Sequence, residues 1–397
     1  MADYDIAVIG GGLIGCASAY YLAKSGARVV VLERGQVNQG ASGQNAGSLH
    51  FQLEHRLIQD IEVNVRELEY YVGLARLSIE LWRGIDAELG CDTQLSMLGG
   101  LMVAETPAEM TLLKRKLEIE QSQGLSIEML DGEAARTLAP YLSNGIRAAL
   151  HCTSEGHCNP RLLTPTYARK AMVLGASLIT DATVTQVRRV ASRWRITFRD
   201  CAGERQQIRC GAVLNAAGAW AADIAAMANL HVPLFPVGLT MNATEKTEPQ
   251  ISHLIQHVGR KLSLKQTEEG NLLIGGGWRA QLRQRGGRWS SAESPGIILD
   301  SVIGNLRTAA EIVPMVRSLR LLRTWTGTTA ITPDQLPVLG EVPQAPGFFV
   351  AAGGSGFTYG PAYALLMSEL MLTGTSSYPL GPFSPARFNG LNAFMGQ

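Results

Sequence analysis

No run in this 397-residue sequence is long and apolar enough to span a bilayer, and its start lacks a charged stretch followed by a cleavable apolar segment. These absences predict a soluble cytoplasmic protein with no transmembrane segment, and they leave peripheral membrane docking open. Charge imbalance is missing as well. Lys and Arg total 35 against 34 Asp and Glu, so the formal net charge is +1, and no general electrostatic case exists for nucleic acid or an acidic surface. Cysteine is sparse. Cys16, Cys91, Cys152, Cys158, Cys201 and Cys210, in a chain this long without an export signal, are expected to be free thiols. They show no four-cysteine spacing for an iron–sulfur cluster, so another chain would have to carry one. The cluster His151-Cys152-Thr153-Ser154-Glu155-Gly156-His157-Cys158 departs from paired metal-ligand spacings and reads as a connection ahead of a helix near Pro160, so no metal is expected. No Ser-His-Asp or Cys-His catalytic arrangement is recognisable.

What is present begins with Asp5-Ile6-Ala7-Val8-Ile9-Gly10-Gly11-Gly12-Leu13-Ile14-Gly15. An apolar strand meets glycines spaced Gly10-x-Gly12-x-x-Gly15, and a helical pattern starts directly behind them. Gly10 allows a tight turn, Gly12 lets backbone N–H groups approach a pyrophosphate, and Gly15 lets the helix pack close to the strand. The helix stops at Ser25-Gly26. A second strand, Arg28-Val29-Val30-Val31-Leu32, then ends in Glu33, where a carboxylate can accept from both hydroxyls of an adenosine ribose. That acid would repel a ribose phosphate, which favours FAD or NAD over NADP. The loop Gly40-Ala41-Ser42-Gly43-Gln44-Asn45-Ala46-Gly47 can line the rest of a long cofactor with hydroxyl, amide and backbone groups.

The remaining pattern alternates between two kinds of structure. From His55 to about Leu89, apolar residues recur every three or four positions, as one long helix or two abutting ones. Strands are expected at Leu101–Ala104, Ser177–Ile179, Ala182–Val187, Trp194–Phe198, Leu262–Lys265 and Leu272–Gly275, and helices over 108–123, after Asp131 and over 162–174. Ala212-Val213-Leu214-Asn215-Ala216-Ala217-Gly218-Ala219-Trp220 runs from an apolar strand into small residues, as a chain must if it passes close beneath a cofactor. Trp278-Arg279, Arg283, Arg285, Arg288 and Trp289 form a basic stretch that suits either an acidic group or plain solvent. Finally, Thr332-Pro333-Asp334-Gln335-Leu336-Pro337 and Phe348-Phe349-Val350-Ala351-Ala352-Gly353-Gly354-Ser355-Gly356-Phe357-Thr358 precede a terminal helix. Such a unit would aim backbone N–H groups at the electron-rich edge of a flavin.

Taken together, the N-terminal turn, the loop at 40–47, Asn215-Ala216-Ala217-Gly218-Ala219-Trp220 and the Thr-Pro-Asp-x-x-Pro and Gly-x-Ser-Gly segments resemble the D-amino-acid oxidase-like family of FAD-dependent amine oxidoreductases. The resemblance covers nearly the whole chain and leans toward the β subunits of heteromeric hydroxyproline, proline or opine dehydrogenases. It implies an α/β fold, with a discontinuous Rossmann-type FAD domain (1–85, 150–230, 323–397) and a substrate domain on an antiparallel sheet (86–149, 231–322). It further implies FAD contacts from Gly10, Gly12, Leu13, Ile14, Gly15, Glu33, Arg34, Ala41, Ser42, Asn45, Ala46 and Gly47. Val184, Ala216, Ala217, Gly218, Trp220 and Gly327 would follow, then Gly353, Gly354, Ser355, Gly356, Phe357 and Thr358. Because Arg323-Thr324-Trp325-Thr326 contains no Cys where relatives attach flavin covalently, noncovalent FAD is expected.

The implied chemistry is hydride transfer from the carbon bearing an amine to the flavin, giving an imine that water hydrolyses. Electrons would pass to partner subunits carrying a second flavin or an iron–sulfur cluster. The usual carboxylate anchors are missing: Thr328-Thr329-Ala330 stands where one branch has Arg, and Phe357-Thr358-Tyr359-Gly360 contains no Lys. The candidates to replace them are His50, Arg56 and Arg279, with Tyr359 as a hydroxyl donor. Two alternatives stay open. One is an FAD-dependent 2-hydroxy acid dehydrogenase with His50 as base; the other is a flavin-binding scaffold for a catalytic partner.

Overall fold

The structure, a computed structural model, describes residues 2–58, 65–285, 288–290 and 293–389. Its first sheet is built around β1 (Ala2–Ile9), which leads into helix α1 (Leu13–Lys24) and on to β2 (Val29–Leu32). β1 pairs in parallel with β2 on one side and with Arg205–Asn215 on the other, and Phe348–Ala352 and Ser177–Ile179 extend the parallel set outward. Val338–Glu341 closes one edge antiparallel, and a meander of Thr183–Val190 and Arg193–Arg199 hangs on Arg205–Asn215.

Alternation along the strands separates two cores. Val8, Val29 and Val31 face the layer of α1, the helix Val65–Leu89 and the terminal helix Gly360–Thr373. Ala7, Ile9, Val30 and Leu32 face the meander, where Ile196, Phe198 and Trp194 are buried. Adjacent residues of one strand therefore serve opposite layers, as period-two side-chain geometry requires.

The second sheet has eight strands in the order Leu321–Ile331, Phe235–Lys246, Asn271–Gly275, Ser263–Gln266, Leu254–His257, Gly100–Ala104, Ala148–Cys152 and Ile127–Asp131. It is antiparallel except where Leu254–His257 lies parallel to Gly100–Ala104. The helix Leu299–Ile312 covers one face through Ala309 and Ile312.

Local signals place most boundaries well. Thr106 and Glu109 form a reciprocal capping box ahead of Pro107–Ser122, and Asp131 caps Gly132–Leu138 by accepting from Ala134 N–H. The helical pattern after His55 appears as His55–Ile58 and Val65–Leu89, and the segment between them lies outside the described residues.

The expected junctions between the two parts fall inside regular elements. The break at 149/150 falls inside Ala148–Cys152 and that at 322/323 inside Leu321–Ile331, both strands of the second sheet, while 85/86 falls inside the helix Val65–Leu89. Apolar alternation shows that a segment is a strand; it carries no label for the sheet that the strand joins. The basic stretch after Gly277 is a small hairpin, Arg283–Arg285 with Arg288–Ser290, and Trp289 on it is exposed.

Candidate active site

The ends of the parallel strands open onto a cavity of about 1110 Å³, larger than a drug-sized ligand needs and roomy enough for a dinucleotide beside a small substrate. Its floor is the β1–α1 turn. Gly10 has φ +116°, and a Cβ there would lie 2.5 Å from the Ala216 carbonyl oxygen, so the turn runs in contact with the Asn215–Ala217 segment. A Cβ on Gly15 would lie 1.9 Å from the Gly10 carbonyl oxygen, which is why α1 can approach β1 so closely. At the N-cap of α1, Gly12 has no side chain to satisfy the orphan N–H groups, and Gly12, Leu13 and Ile14 all border the cavity.

Neighbouring polar groups brace this turn. Glu33 accepts from Gly11 N–H at 2.6 Å and Gly35 N–H at 2.8 Å, and Ser42 Oγ accepts from Leu13 N–H at 2.9 Å. The Arg34 guanidinium sits 3.8 Å over the Trp220 ring, and Trp220 Nε1 is buried without a hydrogen-bond partner among the described residues. Ala41, Asn45, Ala46, Val184, Ala216, Ala217, Gly218, Gly327 and the run from Gly353 to Thr358 also line the cavity. Gly15 and Gly47 do not line it; they act behind the wall, Gly47 turning against the Cys158 carbonyl at φ +75°.

At the other end, the segment His50–Arg56 crosses beneath the second sheet. His50 Nε2 is 3.1 Å from Ser263 Oγ, and its backbone N–H donates to Thr358 Oγ1 at 3.2 Å. Burial pushes the His50 pKa down; Glu54 opposes this, and Arg56 and Lys265 reinforce it, so the ring is neutral. Arg56 donates to the Gln335 carbonyl at 2.7 Å and to Ser355 Oγ at 2.9 Å, with Glu54 Oε1 at 3.4 Å, and Ser355 Oγ donates to Glu54. Burial works against the Glu54 charge, yet Arg56 and the Ser355 hydroxyl hold its carboxyl below the usual range. Arg56 thus faces the cavity with its guanidinium already committed to a tie between the His55–Ile58 helix and the Gly353–Thr358 turn.

The other two catalytic candidates lie elsewhere. Arg279 is exposed and is not among the residues that line the cavity, although its backbone bridges Leu239, which does line it. Tyr359 is fully buried with its ring packed on Phe51, Tyr71 and Tyr363, and it is not among the residues that line the cavity. It is the N-cap residue of the terminal helix and makes no side-chain cap hydrogen bond.

Sequence reasoning missed Glu54, Gln256, Lys261 and Ser263, all of which line the cavity. Lys261 is exposed at the wall, makes no ion pair with a described residue, and has its loop pinned by Trp278 Nε1 donating to its carbonyl at 2.9 Å. The only available signal was the glycine-rich exit at Gly275–Gly277, which marked this sheet end without naming its side chains. Among the described residues, no group of His, Cys, Asp and Glu could hold a metal ion, and no helix is long and apolar enough to cross a membrane.

A glycine-walled helix N-terminus, an acid at the end of the second strand and an indole without a hydrogen-bond partner among the described residues, all lining one cavity, fit an adenine dinucleotide. Fold and cavity together define a dinucleotide-binding oxidoreductase of the Rossmann type. Residues 5–370 match the family described as FAD dependent oxidoreductase. The chain is 28% identical to the glycine oxidase of Geobacillus kaustophilus, with 98% of each covered. It is 27% identical to the sarcosine oxidase subunit beta of Rhodobacter capsulatus, covering 94% of this chain and 86% of that one. In three dimensions it superimposes on the L-proline dehydrogenase of P. horikoshii with a TM-score of 0.84, 26% identity and 98% of each chain covered. It spans only 44% of the mouse mitochondrial dimethylglycine dehydrogenase, to which it is 26% identical over 97% of its own length. The chain belongs to the FAD-dependent oxidoreductase family named for D-amino-acid oxidase, and FAD is its cofactor.

Proposed function

We propose that this chain oxidises the carbon–nitrogen bond of an amino acid or N-substituted amino acid, and that it is the flavin-carrying catalytic subunit of a heteromeric dehydrogenase. The observation that carries this reading is the state of His50. A 2-hydroxy acid would need that ring to take a hydroxyl proton, yet its Nε2 is 3.1 Å from Ser263 Oγ, its Nδ1 is buried, and burial, against Glu54 and with Arg56 and Lys265, lowers its pKa. A neutral amine needs no such base. The relatives support the same chemistry, and the one named as a subunit supports the heteromeric assembly, in which a partner with a second flavin or an iron–sulfur cluster would receive the electrons.

In this reading, the β1–α1 turn and the end of α1 hold the pyrophosphate, Glu33 the adenosine ribose, and the 40–47 loop with the Gly353–Thr358 turn the flavin end, without a covalent bond. FAD held there would supply the two-electron oxidation of the carbon that bears the amine, the product being an imine that water hydrolyses. The protein's own part is positioning. Arg56, Glu54 and Ser355 lock the two backbone segments that meet at the reacting end, and His50 with Ser263 closes one wall without introducing charge. Lys261, at the wall, supplies the cation for the substrate carboxylate that the missing arginine and lysine anchors would have supplied.

The test is an anaerobic visible spectrum of the flavoprotein before and after glycine, sarcosine, dimethylglycine, L-proline, D-alanine and lactate. Bleaching by at least one amine and none by lactate is expected, with slow return of colour on admitting air, as a dehydrogenase requires. Bleaching by lactate alone, or by nothing, ends the reading.

A further inference from the structure

Gln256 sits on the strand Leu254–His257, directly across from Ser263 on the neighbouring antiparallel strand. Directly opposed residues on such strands share a face. Gln256 and Ser263 therefore look the same way, and both line the cavity beside His50. Gln256 is 4% exposed.

Behind it lies a buried carboxylate. Gln256 Nε2 is 3.4 and 3.5 Å from the two oxygens of Glu155, which is itself fully buried. Every other partner of that carboxylate is also a donor: the backbone N–H groups of Phe51 and Gln52, both at 2.9 Å, and the Gln52 side-chain amide at 2.8 Å. Burial pushes the Glu155 pKa up to about 7, yet four donor groups converge on its two oxygens, so these oxygens accept, and the nitrogen end of the Gln256 amide is turned to them and its oxygen end away. Among the described residues nothing donates to that oxygen. A side-chain oxygen without a protein donor, on a residue bordering an open cavity, is free to accept from a ligand that can donate.

We propose that Gln256 is a substrate-recognition residue: Glu155 fixes its amide so that the carbonyl oxygen faces the cavity and accepts a hydrogen bond from the substrate's amino nitrogen. The inference rests on the amine-oxidising reading above and names the group that distinguishes a nitrogen from a carbon of the same shape. Lys261 and Gln256 then divide the two polar ends of an amino acid between them, one taking the carboxylate and the other the amine. Glu155 acts through Gln256 and is a positioning residue.

Two ligands that cannot be oxidised provide the test, because neither has a hydrogen on the α carbon. 2-Aminoisobutyrate and trimethylacetate share a carboxylate and a shape, and they differ by an amino group in place of a methyl. Their dissociation constants are read from the perturbation of the bound flavin's visible spectrum in the holoenzyme. Wild type is expected to prefer the amine about tenfold, the size of one net hydrogen bond. Gln256→Leu should abolish that preference while trimethylacetate binds as before. If the leucine variant loses its flavin, Glu155→Gln decides the matter: its amide can donate or accept, so Gln256 is free to turn and the preference should shrink. A preference that survives in either flavin-loaded variant overturns the proposal, and so does a wild-type enzyme that binds both ligands equally or neither. Failure of the underlying reading looks different, since then no amino acid bleaches the wild-type flavin.

Discussion

Lys116 is fully buried, with its Nζ 2.6 Å from Glu120 Oε2 and 2.9 Å from Gln52 Oε1. Glu120 is also fully buried, and its other oxygen accepts the Leu53 N–H at 2.6 Å. Replacing Lys116 with Met leaves a buried carboxylate without its cation and Gln52 without a donor. Breaking a buried pair from one side costs about 3–5 kcal/mol, because the surviving charge is uncompensated. Replacing both partners is cheaper. Lys116→Met with Glu120→Gln keeps an oxygen for Leu53 N–H and removes both charges, so the double variant is expected to recover to within about 1–2 kcal/mol of wild type.

The sign with pH follows from Glu120. Burial raises its folded pKa above the unfolded value even with Lys116 present, and removing Lys116 raises it further. Where the folded state holds a proton that the unfolded state has released, stability falls as pH rises. The single variant's deficit should therefore be largest above the folded pKa and shrink on acidification toward the ordinary glutamate range, while the double variant shows no such slope. Urea denaturation followed by tryptophan fluorescence, at several pH values, measures all four corners of the cycle. A single variant within about 1 kcal/mol of wild type, or a double variant no better than the single, would refute the reasoning.

Three further expectations are independent of that network. Gly15→Ala places a methyl against the backbone oxygen of Gly10, which cannot move aside, so it should cost at least about 1–3 kcal/mol and lower the flavin-to-protein absorbance ratio of the purified protein. An unchanged ratio would mean the turn is not the cradle. Arg56→Lys keeps the charge but loses the fork that reaches both Gln335 and Ser355. With about 1.5–3 kcal/mol at stake for a charge-assisted bond, turnover of whichever amine bleaches the flavin should fall about tenfold to a hundredfold, with the flavin retained. His157 is pushed down to about 3 by burial, with Lys265 adding to it, so on acidification the unfolded chain takes up a proton near 6.5 that the folded chain refuses until about 3. Stability should decline across that window by up to about 4–5 kcal/mol, and His157→Gln should flatten the decline in urea midpoints; an identical acid limb would reject this account.

Much of the cofactor half was legible because its information is local. The Gly10-x-Gly12-x-x-Gly15 turn, the small residues after Asn215 and the glycines from Gly353 each impose a backbone shape on their own few residues, and all three line one cavity. Side chains that meet from distant strands left no such mark. Gln256 and Glu155 are 101 positions apart, and Ser263 and His50 are 213 apart. Tyr359 and Arg279 stand close in sequence to cofactor-type turns, yet one points into the core and the other into solvent.

The amino-acid order by itself determined the strands, the glycine turns and hence the kind of cofactor, since backbone sterics act over a few neighbouring residues. Only the tertiary structure decided that Lys116 and Glu120, one helical turn apart like any surface pair, are buried and hold the Gln52 side chain and the Leu53 backbone just behind His50. It also decided which groups look into the cavity, because that depends on where two sheets converge, and a one-residue change of register in either would turn Gln256 and Ser263 to the opposite face.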